Sequence, residues 1–188
     1  GSKIDTAIYQ HIKDNYECLF SFKTTTKKGL SQLQKRLSFC FAKLRTFIDS
    51  HGYSLDSTIY IAMVGEFGSD YILQPGSAPN ICLKENEFDF LDLNQFFSSC
   101  FGSKYSFKIV NDAIAQCCGA MEAYQLQSKR LSNHKMISFL GLGTGLGGAF
   151  CFQSSRLKRT FITDGHVSRI LMQSEKDSQF YPAEALVS

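Results

Sequence analysis

With 188 residues, 44% apolar and 20% charged, the chain has ordinary globular usage, which excludes the charged, aromatic-poor composition of disordered chains. It is long enough for one full core, or for one domain and part of a second. A formal net charge of +3 lacks the electrostatic footprint that counterion release on a polyanion demands, so nucleic acid is not an expected partner. The seven cysteines contain no CxxC pair and no Cys and His spacing of a zinc site, so free thiols in a reducing cytoplasm are expected and no metal ligand is assigned. No N-terminal stretch resembles a signal peptide, and the most apolar region, Phe139 to Phe152, is too short and too rich in glycine to span a bilayer, so no membrane role is expected.

In chain order, β-branched and aromatic residues from Lys3 to Tyr9 and from Tyr16 to Lys23 flank a polar turn at Lys13, Asp14 and Asn15, which predicts a hairpin. Thr24 to Gly29 is expected as a loop. Leu30, Leu33, Leu37, Phe41, Leu44 and Ile48 recur every three or four residues, the pattern of a long amphipathic helix stopped by Gly52 in the left-handed conformation. Lys27, Lys28, Lys35, Arg36, Lys43 and Arg45 are expected on its solvated face, and Arg156, Lys158 and Arg159 form a shorter basic knot of the same kind. Ile59 to Val64 reads as a strand, and Gly65 to Asn80 as a loop rich in Gly, Ser and Pro, interrupted by Tyr71, Ile72 and Leu73. Asp92 caps a helix to Cys100, which Gly102 ends; Tyr105 to Val110 is a strand, and Asp112 opens a second amphipathic helix toward Gln127. Two apolar runs from Met136 to Gln153 surround a glycine loop, and the tail from Ser174 to Ser188 carries no pattern.

Successive glycines from Gly141 to Gly148 let backbone N–H groups converge on an anion, and Thr144 adds a hydroxyl, so the loop suits a phosphate. Gly143, Gly145 and Gly148 also match the dinucleotide fingerprint, which must open a helix. Ala149 to Gln153 reads as strand instead, favouring a phosphate-binding hairpin; a tight turn with close backbone packing is the plain alternative. Asn111 and Asp112 follow a strand at its carboxyl end, where open α/β sheets bind ligands, which suits a general base. Asp is also favoured as a simple helix cap.

Taken together, Gly1, Ser2 and Lys3; Ala78, Pro79 and Asn80; Asn111, Asp112 and Ala113; Gly141 to Gly148; and Gly165 with His166 resemble, in order and approximate spacing, the ROK and bacterial glucokinase families of the actin-like ATPase and sugar kinase superfamily. The pairing of NDA with LGTGLGG about thirty residues later is the most specific part. The resemblance implies an α/β, ribonuclease-H-like fold with a mixed sheet flanked by helices. It assigns residues 1–130 to a sugar-binding domain and residues 131–188 to the start of a similar, nucleotide-binding domain. It further implies ATP with Mg²⁺ as phosphoryl donor and a hexose or N-acyl hexosamine as acceptor, with Asp112 as the base. Asn80, Asn111, Asp164, His166 and Gly65 would be sugar contacts, and Gly143, Thr144, Gly145, Gly1 and Ser2 phosphate contacts. A homodimer is left open.

Against the family pattern, Thr163 to His166 is one residue short and carries Asp164 where Glu is usual, the proline usual before Gly65 is missing, and so are the zinc cysteines of many ROK proteins. The family begins with a strand and an aspartate ahead of the glycine pair and continues well past His166. The sequence is therefore expected to be trimmed at both ends and inactive as a kinase by itself; Gly1 and Ser2 are equally readable as an expression scar. Two further readings share the scaffold: a sugar sensor or repressor without catalysis, and a degenerate relative that binds a partner.

Overall fold

The computed structural model describes residues 2–13, 15–128, 136–142, 146–154, 159–164, 171–173 and 180–182. Its order is β1 (Ser2–Ile12), β2 (Asn15–Thr26), α1 (Leu30–His51), β3 (Thr58–Met63), α2 (Leu93–Phe101), β4 (Ser106–Asn111), α3 (Asp112–Ser128), β5 (Met136–Leu142), β6 (Leu146–Ser154), β7 (Arg159–Asp164), β8 (Leu171–Gln173) and β9 (Phe180–Pro182). Among the described residues the strands form four small sheets, β1-β2, β3-β4, β5-β6-β7 and β8-β9. The fold is therefore mixed α/β, and it divides into two compact units, Gly1–Ile61 with Gly65–Ile109, and Ala62–Val64 with Val110–Ser188.

In the first unit, β1 and β2 are the expected hairpin, antiparallel from Ser2↔Thr26 to Ile12↔Asn15, with one register shift after Ile8. The pairing runs three residues beyond Lys23, so the expected loop shrinks to residues 27–29. Lys13 takes a positive φ of 55° at the turn, a conformation that most side chains avoid. α1 follows the predicted periodicity and ends as expected, with Gly52 left-handed at φ 69° and its N–H bonded to the Ile48 carbonyl. Its basic residues are less uniform than the pattern suggests: Lys27 and Lys28 precede the helix, Lys43 sits 4.4 Å from the Phe22 ring centroid, and Arg45 bonds Tyr105.

The amino end of α1 has no side-chain cap of its own, because Gly29 occupies that position. Glu87, 57 residues further on, supplies one: its carboxylate accepts from Leu30 N–H at 2.9 Å and from Leu83 N–H at 2.9 Å. The orphan donor of a helix start is thus met from a distant loop. The loop from Gly65 to Leu91 is ordered by its backbone, with Leu73 and Phe90 bonded both ways to its neighbours, Leu73 N–H to Leu91 O and Phe90 N–H to Leu73 O, each at 3.0 Å. The strand suggested at Tyr71 to Leu73 is reduced to isolated bridges, Phe67↔Leu73 and Ile72↔Asp92. Leu73, Phe88 and Leu93 are fully buried beneath it. α2 is capped as expected, Asp92 accepting from Gln95 N–H at 2.9 Å, and its Phe97 and Phe101 join Phe107 of β4 in an aromatic core.

In the second unit, β5 and β6 are antiparallel from Met136↔Phe152 to Leu142↔Leu146, and β7 joins the other edge of β6. α3 covers this sheet: Cys117, Ala149 and Cys151 are buried together, with Ile114, Met121 and Phe139 packed on them. Burial pushes the Cys117 and Cys151 thiols above their ordinary range, so both are protonated packing groups at neutral pH. Cys118, the next residue, is exposed, as adjacent helical positions require. β8 and β9 pair as a short hairpin, so the tail is not without structure: Phe180–Pro182 is a strand that its polar neighbours conceal.

Hydrogen bonds from Leu83 and Leu30 hold the Glu87 carboxyl below the usual range. A depressed pKa adds stability above the unfolded value, about 4.3 for Glu, that is lost as pH falls through the lower folded value. Glu87→Gln is therefore expected to melt at a lower temperature than wild type at pH 7, with the gap narrowing below about pH 4. Thermal melts of both proteins across pH 3 to 7 check this, working from the approximate carboxylate range.

Candidate functional site

The junction between β4 and α3 is sharper than the sequence suggests. No loop separates them: Asn111 is the last residue of β4 and Asp112 the first of α3. Asn111 is the capping residue, its Oδ1 accepting from Ala113 N–H at 2.9 Å and from Ile114 N–H at 3.4 Å. Asp112 is not the cap; one carboxylate oxygen accepts from the adjacent Ala113 N–H at 3.0 Å. Both side chains are half-buried. An acidic group in the first helical turn is favoured by the positive end of the helix dipole, and Asn111 relieves Asp112 of capping duty. The carboxylate thereby sits at the carboxyl end of a strand, the side of open α/β sheets where ligands commonly bind.

The glycine loop lies in the same unit. Gly141 pairs with Gly147 and Leu140 with Gly148, so strands enter and leave it on both sides. No helix emerges from Gly148, which is part of β6; the dinucleotide alternative, which requires one, is therefore set aside. Gly143, Thr144 and Gly145 themselves lie outside the described residues, as do Gly165 and His166. Asp164 ends β7 and pairs with Ala149 of β6, on the sheet that α3 covers.

The other expected residues belong to the first unit. Gly65 is buried at φ 123°, and a Cβ built on it would stand 2.5 Å from Leu73 Cδ1 and 3.5 Å from Ser77 Oγ. Its need for glycine is thus explained by close packing under the loop, a reason the sequence pattern did not supply. Asn80 is exposed in a turn, after a buried Ala78. Ser2 pairs with Thr26 at the start of β1, and Gly1 lies outside the described residues. Asn111 and Asp112 are thus brought together with the sheet of the glycine hairpin, while Gly65 and Asn80 share the loop that follows β3. Glu87 was missed because its partner lies 57 residues away and no local pattern marks it. Among the described residues no group of three or more His, Cys, Asp or Glu side chains is placed to hold a metal ion, and no helix is long and apolar enough to cross a membrane.

No protein-family model matches the sequence, and no curated protein matches it. Among solved structures, the chain is similar to a glucokinase from an Antarctic psychrotroph, with a TM-score of 0.55 and 12% identity over 94% of this chain and 51% of that one. The two share a fold. The chain spans about half the length of the glucokinase it matches, and at this identity the likeness concerns architecture alone.

Three substitutions at two positions probe the local geometry. Asn111→Ala is expected to cost about 1 kcal/mol by removing the cap, while Asn111→Asp, itself a good cap, stays close to wild type. Gly65→Ala is expected to cost about 1–3 kcal/mol, because Leu73 has no room to withdraw and the backbone conformation disfavours a side chain. Urea unfolding of the three variants measures both effects.

Proposed function

We propose that the protein is an ATP-dependent sugar kinase on an actin-like, ribonuclease-H-like scaffold, phosphorylating a hydroxyl of a hexose or an N-acyl hexosamine. On this reading residues 1–130 belong to a sugar-binding domain and residues 131–188 begin the nucleotide-binding domain. The observation that carries it is the pair formed by the β4–α3 junction and the β5–β6 strands: a carboxylate in the first turn of α3, beside the Asn111 cap, on a helix packed against the strands that flank the glycine loop. The likeness to part of a glucokinase fold supports the same direction.

Asp112 acts as general base, taking the proton of the attacking sugar hydroxyl. In that role a carboxylate needs hydrogen-bond reach to the attacking hydroxyl. Asn111 and Asn80 bind neighbouring hydroxyls, with Asp164, His166 and the Gly65 loop as further sugar contacts. ATP fits the donor chemistry of the glycine loop: backbone N–H groups of Gly143 and Gly145 and the Thr144 hydroxyl suit phosphate oxygens, with Gly1 and Ser2 a second such contact. Charge on the transferring phosphoryl group, whose transfer depends mainly on positioning and electrostatics, would be offset by Mg²⁺ carried with the nucleotide. A sugar sensor on the same scaffold is the alternative, distinguished by binding without turnover.

The test is a coupled assay of the full-length gene product with a hexose panel and Mg-ATP, alongside Asp112→Asn. The variant is expected to lose about 10²- to 10⁴-fold in turnover, the usual share of a general base, with sugar binding kept in calorimetry. Unchanged turnover in Asp112→Asn would remove the residue from this role. Sugar binding by the wild type without any turnover would favour the sensor.

A further inference from the structure

An open cavity of about 320 Å³ lies in the first unit, formed by the last turns of α1, the segment after it, and the residues that precede β4. Lys104 and Tyr105 stand before the amino end of β4, whereas Asn111 closes its carboxyl end, so this cavity is distinct from the junction that bears Asp112. Its charged lining is Arg45, Lys104 and Asp49, two cations against one carboxylate. Ser54 and Ser57 also line it, with the Ser57 hydroxyl donating to Asp56 Oδ1 at 3.3 Å.

The guanidinium of Arg45 is held by Tyr105 and ion-paired at longer range with Asp49. Its Nη1 donates to Tyr105 Oη at 3.0 Å, and Tyr105 is itself buried. Asp49 stands 3.9 Å from Nη2, beyond hydrogen-bond reach. Among the described residues the Arg45 side chain donates to Tyr105 alone, which leaves most of a five-donor fork to an incoming acceptor. Lys104 Nζ lies 5.1 Å from the Tyr105 ring centroid, so Tyr105 gathers both cations at one side of the cavity.

The open donors of the Arg45 fork beside the Lys104 point charge suit the terminal oxygens of a phosphate. We propose that the cavity beside Arg45, Lys104 and Tyr105 is a second ligand site, which binds the phosphate group of a small phosphorylated metabolite or free phosphate. The cavity is at the small end of the range for small-molecule sites. Asp49 limits affinity, so the site exchanges its ligand readily.

Isothermal titration of the chain with inorganic phosphate and with glucose 6-phosphate, at matched ionic strength against chloride, tests the site. Saturable binding is expected, weakened about tenfold or more in Lys104→Gln and in Arg45→Gln and tightened in Asp49→Asn, as charge-assisted hydrogen bonds are lost or a repelling carboxylate is removed. Lys104 is exposed and its replacement leaves the Arg45–Tyr105 bond in place, so that variant stays informative if Arg45→Gln folds poorly. Tighter binding of glucose 6-phosphate identifies a phosphorylated metabolite as the ligand; equal binding of the two identifies free phosphate. No binding of either probe, or binding unaltered by Lys104→Gln and Asp49→Asn, would overturn the proposal. None of these readouts requires kinase activity.

Discussion

Cys117 of α3 is buried with Ala149 and Cys151 of β6, and this packing ties the helix that begins at Asp112 to the strand that leaves the glycine loop. Small side chains on both faces let helix and sheet approach closely, and thiols pushed toward their protonated form by burial behave there as apolar groups. A helix fixed in this way has a fixed first turn. The Asn111 cap completes the restraint from the other side, because it joins β4 to α3 with no intervening residue. Loss of either restraint would leave Asp112 at the end of a fraying helix.

The first unit depends on contacts of a different kind. Its long helix is begun by a carboxylate from a remote loop, and that loop is folded over Leu73, whose neighbour Gly65 has no space for a side chain. The loop between β3 and α2 is therefore structural at its base and polar at its tip, where Asn80 is exposed. That division is common where a scaffold presents binding groups from a loop.

Strong periodicity made much of the fold legible. The stripe from Leu30 to Ile48, the Gly52 stop, the Asp92 cap and the glycine-linked strands all rest on local rules, and each is present in the structure. What was not legible depends on distance. The extension of β2 through Thr24 to Thr26 is decided by pairing with Ile4, Lys3 and Ser2, and the reduction of Tyr71 to Leu73 to single bridges by the backbone of the surrounding loop. Polar residues around Phe180–Pro182 hid a strand that exists through pairing with Leu171–Gln173. At the candidate site, the order Asn, Asp, helix was readable, but which of the two side chains caps α3 was settled only by geometry: a side chain one residue before the first helical position reaches the second and third N–H groups.

The central claim is that one bound substrate pair engages both the glycine hairpin and the start of α3. Hydrogen exchange of the full-length gene product, with and without a non-hydrolysable ATP analogue, Mg²⁺ and a hexose, measures this directly. Slowed exchange in residues 141–148 with the nucleotide, and in residues 111–114 once the sugar is added, is the result expected. Exchange in both segments unaffected by saturating ligands, or protection confined to other regions, would contradict it.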